Sequence, residues 1–291
     1  MHAQEASSGS RRVLVTGGAI RFGAEVCRQF ARAGWDVLVH YHQSGTAALQ
    51  LAAHLQQRYG VNASAWGCDL SDAPGRRAML QAMEKQHGGI DALVNNASLF
   101  HPDRGDEVQD DWAQAHLQVN LMAPLALARE ITLQARARSL ETNDKAAHRV
   151  PCIVHVLDQK VFNLNPDYFS YTLSKLALER AVALQAQALA PFARVCGVAP
   201  GLMYLSGDQT QENFDLAARA NLLRQPIDPA NVARACVFLA ENEGVTGTTL
   251  TVDNGQHLVP SPKDIMFVVD ELLQQGRSPG PQPNPASGTP T

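Results

Sequence analysis

Val13-Leu14-Val15-Thr16-Gly17-Gly18-Ala19-Ile20-Arg21-Phe22-Gly23 decides how the chain folds. Three apolar residues, two of them β-branched, read as a buried strand. A glycine-rich turn follows at once and runs into a helical pattern over 24–33 that stops at Gly34. Glycine permits the tight turn, and the first amides of the helix carry partial positive charge outward. Such a place suits an anion such as phosphate. A plain strand–helix connection is the competing reading, and the position directly after a strand disfavours it.

Outward from this stretch the pattern repeats. Asp36–His42 predicts a second strand and 46–59 a helix. A strand over 62–67 reaches Cys68-Asp69-Leu70, and Ser71 or Asp72 can cap a helix over 73–87. Ile90–Val94 is a buried strand running into Asn95-Asn96-Ala97-Ser98-Leu99-Phe100. A helix over 110–133 carries Asn120 near its middle, and the polar stretch 136–149 reads as a surface loop. Ile153–Leu157 is the central strand, and a helix over 168–190 follows. Arg194–Val198 is the next strand, ending at Ala199-Pro200-Gly201-Leu202. A variable segment, 203–225, precedes a helix over 229–241, and Thr249–Val252 is the last strand.

Strict β, α alternation predicts an α/β fold, a Rossmann-type doubly wound parallel sheet with helices on both faces, in a single domain over 12–258. Residues 1–11 read as a flexible arm. Ile265, Val268, Val269, Leu272 and Leu273 form an apolar stripe at helical spacing, so 259–275 is expected to be a C-terminal helix. It is expected to dock on its own subunit or on a symmetry mate, with a substrate lid as the weaker alternative. Residues 276–291, rich in Pro, Gly and Ser, are expected to be disordered.

Composition narrows the function classes. With 45% hydrophobic and 18% charged residues among 291, a sizeable core is available. The net charge of -4 and the lack of a long basic run argue against a nucleic-acid groove. Cys27, Cys68, Cys152, Cys196 and Cys236 are scattered, with no Cys-x-x-Cys pair, so reduced thiols and a cytoplasmic setting are expected rather than a disulfide framework or a metal site. No apolar run approaches membrane-spanning length, and Met1–Ser10 lacks the apolar core of a signal peptide.

The chemistry concentrates between Asp158 and Lys175. Tyr171 and Lys175 stand four apart, one helical turn from each other on one face. Asp158 ends the central strand, at the edge where open α/β sheets bind ligands. A phenol, an amine and a carboxylate can thus converge on one crevice. A free phenol has a pKa of about 10, and a neighbouring ammonium would stabilise its phenolate and bring proton transfer toward neutrality. The second strand ends in His40-Tyr41-His42-Gln43-Ser44, without the acid that a NAD-selective fold uses to hold a ribose hydroxyl. His42 and Ser44 could donate to a ribose phosphate, which favours NADPH.

Taken in order, Thr16-Gly17 to Gly23, Asp69, Asn95-Asn96-Ala97, Asn120, Tyr171-x-x-x-Lys175 and Pro200-Gly201 resemble the short-chain dehydrogenase/reductase family over about residues 12–257. The family's usual Ser, thirteen positions before the Tyr, is here Asp158. Pteridine reductases look like this, and they resemble the chain also at Arg21, at His40-Tyr41-His42-Gln43-Ser44, at Asn95–Phe100 and at Pro200–Leu202. Gln43 departs from the Arg that would clasp a ribose phosphate, and an amide does not replace a guanidinium's charge.

The resemblance implies catalysis by Asp158, Tyr171 and Lys175. It implies a cofactor site of Gly17, Arg21, Phe22, His40, His42, Ser44, Asp69, Leu70, Asn95, Ala97, Ser98, Asn120, Lys175, Pro200 and Gly201. Arg21 would reach the pyrophosphate, Asp69 the adenine amine, and Asn120 would hold a helix kink and a water linked to Lys175. Arg21, Ser98, Phe100, Asp158, Tyr171 and Leu202 would meet the substrate, Phe100 stacking on a flat pterin. The implied reaction is hydride transfer from NADPH to a pterin C=N carbon, in a homotetramer built on helices 110–133 and 168–190. An ionised Asp cannot donate to a carbonyl oxygen, whereas it accepts from a nitrogen-rich ring. Two alternatives stay open: a carbonyl reductase of unknown substrate, and a non-catalytic NADP(H)-binding protein, against which the intact Tyr171 and Lys175 speak.

Overall fold

Side-chain parity assigns the two faces of the sheet. Val13 and Val15 pack with Val37, Val39, Val94 and Val154 on one face. Leu14, Leu38, Leu93 and Ile153 pack on the other. Burying one such Leu contributes about 1.5–3 kcal/mol, so both faces need helices to cover them. The computed structural model describes residues 9–141 and 149–277. Among these, strands β1 (Arg12–Val15), β2 (Asp36–Tyr41), β3 (Ala63–Gly67), β4 (Ala92–Asn95), β5 (Cys152–Val156), β6 (Arg194–Pro200) and β7 (Thr249–Val252) form one sheet. Its order is β3-β2-β1-β4-β5-β6-β7, with every pairing parallel. The strand order reverses between β1 and β4, which opens a crevice at their carboxyl ends.

Helices α1 (Arg21–Arg32) and α2 (Gly45–Tyr59) follow β1 and β2, and α3 (Ala73–His87) follows β3. The first helix thus begins at Arg21, three residues ahead of the expected start. Asp72 sits at the cap position of α3 without a side-chain capping bond. In the region expected to be one helix over 110–133, the chain forms α4 (Asp110–Leu117), a π turn (Gln118–Met122) and α5 (Ala123–Glu141). The helix therefore also consumes the first part of the polar stretch 136–149, which was expected to be loop.

Helix α6 (Phe169–Leu189) carries the Tyr-x-x-x-Lys pair. The variable segment contains a short helix, α7 (Gln211–Ala217), capped by Thr210. Helix α8 (Pro229–Glu241) starts where Asp228 accepts from the Ala230 amide, with Pro229 at its first position. The terminal stripe forms α9 (Ile265–Arg277), and the side-chain Nδ2 of Asn213 on α7 donates to Met266 O and Asp270 Oδ1. This helix docks on its own subunit, as one of the two expected dockings. It includes Gly276 and Arg277, and the rest of the expected tail, 278–291, lies outside the described residues.

The expected arm is anchored at its end. Arg11 donates to Glu241 Oε1 at 2.7 Å and lies over the Trp35 ring at 4.5 Å. Residues 1–8 of that arm lie outside the described residues. All five cysteines are free thiols, four of them buried and Cys68 half-buried. No helix among the described residues is long and apolar enough to cross a membrane.

Candidate active site

The switch point is stapled before anything binds there. Thr16, at the end of β1, accepts the Asn96 and Ala97 amides on Oγ1 at 2.9 and 3.0 Å. Asn96 Nδ2 returns to Thr16 O and Gly17 O at 2.9 and 3.1 Å. Gly17 has φ +60, where a side chain is strained, and a Cβ on Gly23 would stand 2.1 Å from Gly17 O. The glycine turn is therefore closed around its own backbone. Helix α1 has no capping side chain and no acid in its first turn, so its leading amides stay available to an anion. These features fit a cofactor pyrophosphate.

His40 belongs to this scaffold and not to the crevice. The Gly17 amide donates to its Nδ1 at 3.1 Å, which leaves Nε2–H to donate to Cys68 O at 3.0 Å. Burial lowers its pKa to about 4, so it stays neutral and offers no charge to a phosphate. His42 is more than half exposed, 3.9 Å from Asp69 Oδ2. Ser44 stands before α2 without capping it. Asp69 holds its own turn, accepting the Ser71 amide and hydroxyl at 2.8 Å. Leu70 is buried.

Asn95 is turned inward. Its Nδ2 donates to His155 Nδ1 at 3.2 Å, and its Oδ1 is buried without a partner. Its side chain therefore does not face the crevice as the resemblance implied. Asn120 is buried at the π turn, which supplies the implied kink. It accepts from the Leu99 amide and the Ser98 hydroxyl at 2.8 and 3.1 Å, and donates to Leu99 O and Ser174 Oγ, each at 3.0 Å. Ser174 in turn donates to Tyr171 O at 2.6 Å. The extra residue of the π turn aims Asn120 to tie the loop after β4 to the Tyr171 helix.

Asp158, Tyr171 and Lys175 converge as expected. Tyr171 Oη donates to Asp158 Oδ2 at 2.8 Å, and the Lys160 amide donates to Asp158 Oδ1 at 2.8 Å. Lys175 Nζ donates to Val156 O at 2.8 Å and lies 5.8 Å from the Tyr171 ring centroid. The electrostatics differ from the expectation that the ammonium lowers the phenol. Burial first, then Asp158, pushes Tyr171 well above the ordinary phenol value. Burial also raises the Asp158 carboxyl, and it lowers Lys175 to about 8. All three groups are thus biased toward their neutral forms, which spacing alone does not reveal.

The crevice beside them has a volume of about 890 Å³. Arg21, Phe22, Ser98, Phe100, Pro200, Gly201 and Leu202 line it together with the three catalytic candidates. Arg21, with φ 50, donates to Leu205 O at 2.9 Å and lies over the Tyr204 ring. Phe100 is 39% exposed, so it is no ordinary core residue. It stacks on Tyr168 at 4.2 Å and meets Tyr171 edge-on at 4.6 Å. A Cβ on Gly201 would stand 2.4 Å from Gln256 Oε1, which accepts the Leu202 amide at 2.9 Å.

Sequence reasoning expects the variable segment 203–225 to contribute to the substrate pocket and offers a lid as one role for the terminal helix, but it names no pocket residue in either. Tyr168 and Lys160 lie within the stretch that drew attention, yet neither was singled out. Asp264, Ile265, Met266 and Val268 bring α9 to the crevice, and Met203, Tyr204 and Gln209 bring the variable segment. The apolar stripe of α9 signalled a docked helix but not its destination.

Comparison with known proteins agrees with this fold. A family model described as "Enoyl-(Acyl carrier protein) reductase" matches residues 18–257. The chain is 29% identical over 280 residues to "Pteridine reductase 1" of Leishmania tarentolae, covering 84% of this chain and 96% of that protein. It is 27% identical over 257 residues to "Sorbose reductase sou1" of Schizosaccharomyces pombe, covering 84% and 95%. Among solved structures, "FolM Alternative dihydrofolate reductase 1" of Brucella canis, complexed with NADP, superposes with a TM-score of 0.78 at 32% identity, covering 86% of this chain and 95% of that one. From the parallel sheet and its switch-point crevice to the Tyr171–Lys175 pair, the chain belongs to the short-chain dehydrogenase/reductase family of oxidoreductases.

Proposed function

We propose that the protein is an NADPH-dependent reductase of a pterin C=N bond. The observation that carries this reading is the hydrogen bond from Tyr171 Oη to the half-buried Asp158 carboxyl group, where a carbonyl reductase would place a hydroxyl. The solved Brucella canis relative, in complex with NADP, supports the cofactor. In this chain Gly17, Phe22, Ala97, Ser98, Lys175, Pro200 and Gly201 would hold it, with His42, Ser44 and Asp69 toward its adenosine end. When bound, NADPH supplies the hydride. Tyr171, held as a neutral phenol, gives its proton to the ring nitrogen beside the reduced carbon. Asp158, whose carboxyl is also raised, passes its proton to the departing phenolate and is reloaded from solvent. Lys175 offers a cation near the phenolate while that proton is in transit. Phe100 supplies the flat apolar surface for the pterin ring.

The test is NADPH oxidation with dihydrobiopterin, dihydromonapterin and dihydrofolate, beside a panel of ketones and a Tyr171→Phe control. Turnover of a pterin that falls at least about 100-fold in the control supports the reading. The second reading is a carbonyl reductase, favoured by the likeness to sorbose reductase. Brisk reduction of ketones without pterin turnover would establish it and end the first. We further propose that the long helices pair between subunits, since Leu133, Leu173 and Leu184 leave apolar side chains exposed on α5 and α6.

A further inference from the structure

Lys160 is an unusual residue to find buried. It is 3% exposed, beside the catalytic candidates, and an unpaired ammonium there would be costly. Its Nζ donates to Asp264 Oδ2 at 2.9 Å and to Asn165 Oδ1 at 2.8 Å. It also lies 5.4 Å from the Tyr168 ring centroid. The same residue's amide holds Asp158 Oδ1. One residue thus grips the catalytic carboxylate with its backbone and the entrance of α9 with its side chain.

Two further contacts run in parallel. The Asp264 amide donates to Asp167 Oδ2 at 2.7 Å. Tyr168 is sandwiched between Phe100 at 4.2 Å and Phe267 of α9 at 6.1 Å, near-parallel to both. Tyr168 adopts φ 55, a left-handed conformation that a bulky residue takes only when its surroundings hold it there. The wall made by α9 and the aromatic platform at Phe100 are therefore joined through the 160–168 segment.

We propose that Lys160 is a positioning residue that clamps α9 against the crevice and holds it in register with the Asp158–Tyr171 pair. This rests on the reading that the pair delivers a proton. The charged groups facing Asp158 are Lys160 from the turn after β5, and Tyr171 and Lys175 from α6. Tyr171 faces Asp158 and, from the entrance of α9, Asp264. The Lys160 cation favours the ionised carboxylate, whereas Asp264 disfavours the phenolate. Removing one or the other shifts the pair's proton affinity in opposite directions, which a merely structural contact would not do.

The test compares full-length protein with Lys160→Met, Lys160→Arg and Asp264→Asn variants. Hydrogen exchange of the 265–277 amides reads the clamp, and KM for dihydrobiopterin and the pH profile of kcat read its effect on the site. Lys160→Met and Asp264→Asn are expected to speed exchange in α9 and to raise KM, each about tenfold. The inflection of kcat moves to higher pH in Lys160→Met and to lower pH in Asp264→Asn. Lys160→Arg keeps both readouts close to the parent. NADPH affinity, read by its fluorescence, stays within about twofold and reports an intact fold. Parent-like exchange in both Lys160→Met and Asp264→Asn overturns the clamp, and inflections that move together or not at all overturn the electrostatic part. The exchange measurement needs no substrate. A parent inert toward dihydrobiopterin, dihydromonapterin and dihydrofolate would therefore defeat the pterin reading while the clamp is still decided.

Discussion

Tyr171 Oη and Asp158 Oδ2 lie 2.8 Å apart, with Tyr171 buried and Asp158 half-buried at the crevice. A phenol and a carboxylate so placed share one proton more easily than they carry one negative charge each. The parent should therefore work best where Asp158 is still protonated, and kcat should decline as pH rises through the raised carboxyl. Asp158→Asn cannot load or release that proton. It is expected to remove this inflection and lower kcat by about 100-fold, measured as a pH–rate profile with the best pterin.

Phe100 tests the aromatic platform separately from the proton path. Its ring is 39% exposed, so Phe100→Ala should barely change the melting temperature. A stack is worth about 0.5–1.5 kcal/mol, so KM for the pterin should rise roughly 3- to 10-fold. Steady-state kinetics should show the change in KM, with NADPH binding unaltered.

Lys175 carries a pH dependence of its own. Burial lowers its ammonium to about 8. Above that pH the group loses its charge and a donor. NADPH affinity of the free enzyme is expected to weaken as pH rises through about 8. Titration of the bound nicotinamide fluorescence between pH 6 and 10 checks this, and Lys175→Met should flatten the curve.

Three buried histidines, His40, His116 and His155, are pushed toward the neutral form by burial and weaken the fold in acid. Burial lowers His40 and His155 to about 4, whereas each titrates at 6.5 in the unfolded chain. Between those values the unfolded state binds more protons, so stability is full above 6.5 and is lost as pH falls toward 4. Each shift corresponds to roughly 3 kcal/mol at most. Thermal melts should therefore drop steeply over this window, and His155→Gln should make the drop shallower.

Gly23→Ala should be among the most damaging single methyl additions. The new Cβ would stand 2.1 Å from Gly17 O and 2.7 Å from Asn96 Nδ2. Neither can retreat, because Gly17 and Asn96 are bonded to each other across the switch point. Overpacking of this kind costs about 1–3 kcal/mol, and the turn would lose its shape. Loss of NADPH binding with a lowered but cooperative melt is the expected outcome.

How much of this was legible in the sequence depends on what each feature obeys. The strands announced themselves because valine runs such as Val37–Val39 and leucine partners such as Leu93 obey a period of two. Tyr171 and Lys175 were legible because spacing along a helix fixes their face. The π turn was not, because the pattern around Asn120 is compatible with an unbroken helix. His40 could have been placed correctly: it shares the parity of Leu38, which points into the sheet's covered face. The rise of the Tyr171 phenol was illegible because burial depends on elements far apart in the chain. The destination of α9 was hidden for the same reason, since an apolar stripe looks alike against any surface.

The position of α9 also decides how the molecule can be handled. The chain's final described helix forms a wall of the crevice, with Met266 and Val268 facing it. Arg11, by contrast, is pinned to Trp35 and Glu241 at the amino-terminal edge of the strands. A chain cut before Asp264 would therefore lack the wall made by α9, so a shortened form does not stand in for the whole protein when the site is studied. A purification handle is better placed ahead of Arg11, where it would leave from the opposite edge of the sheet and keep the crevice clear.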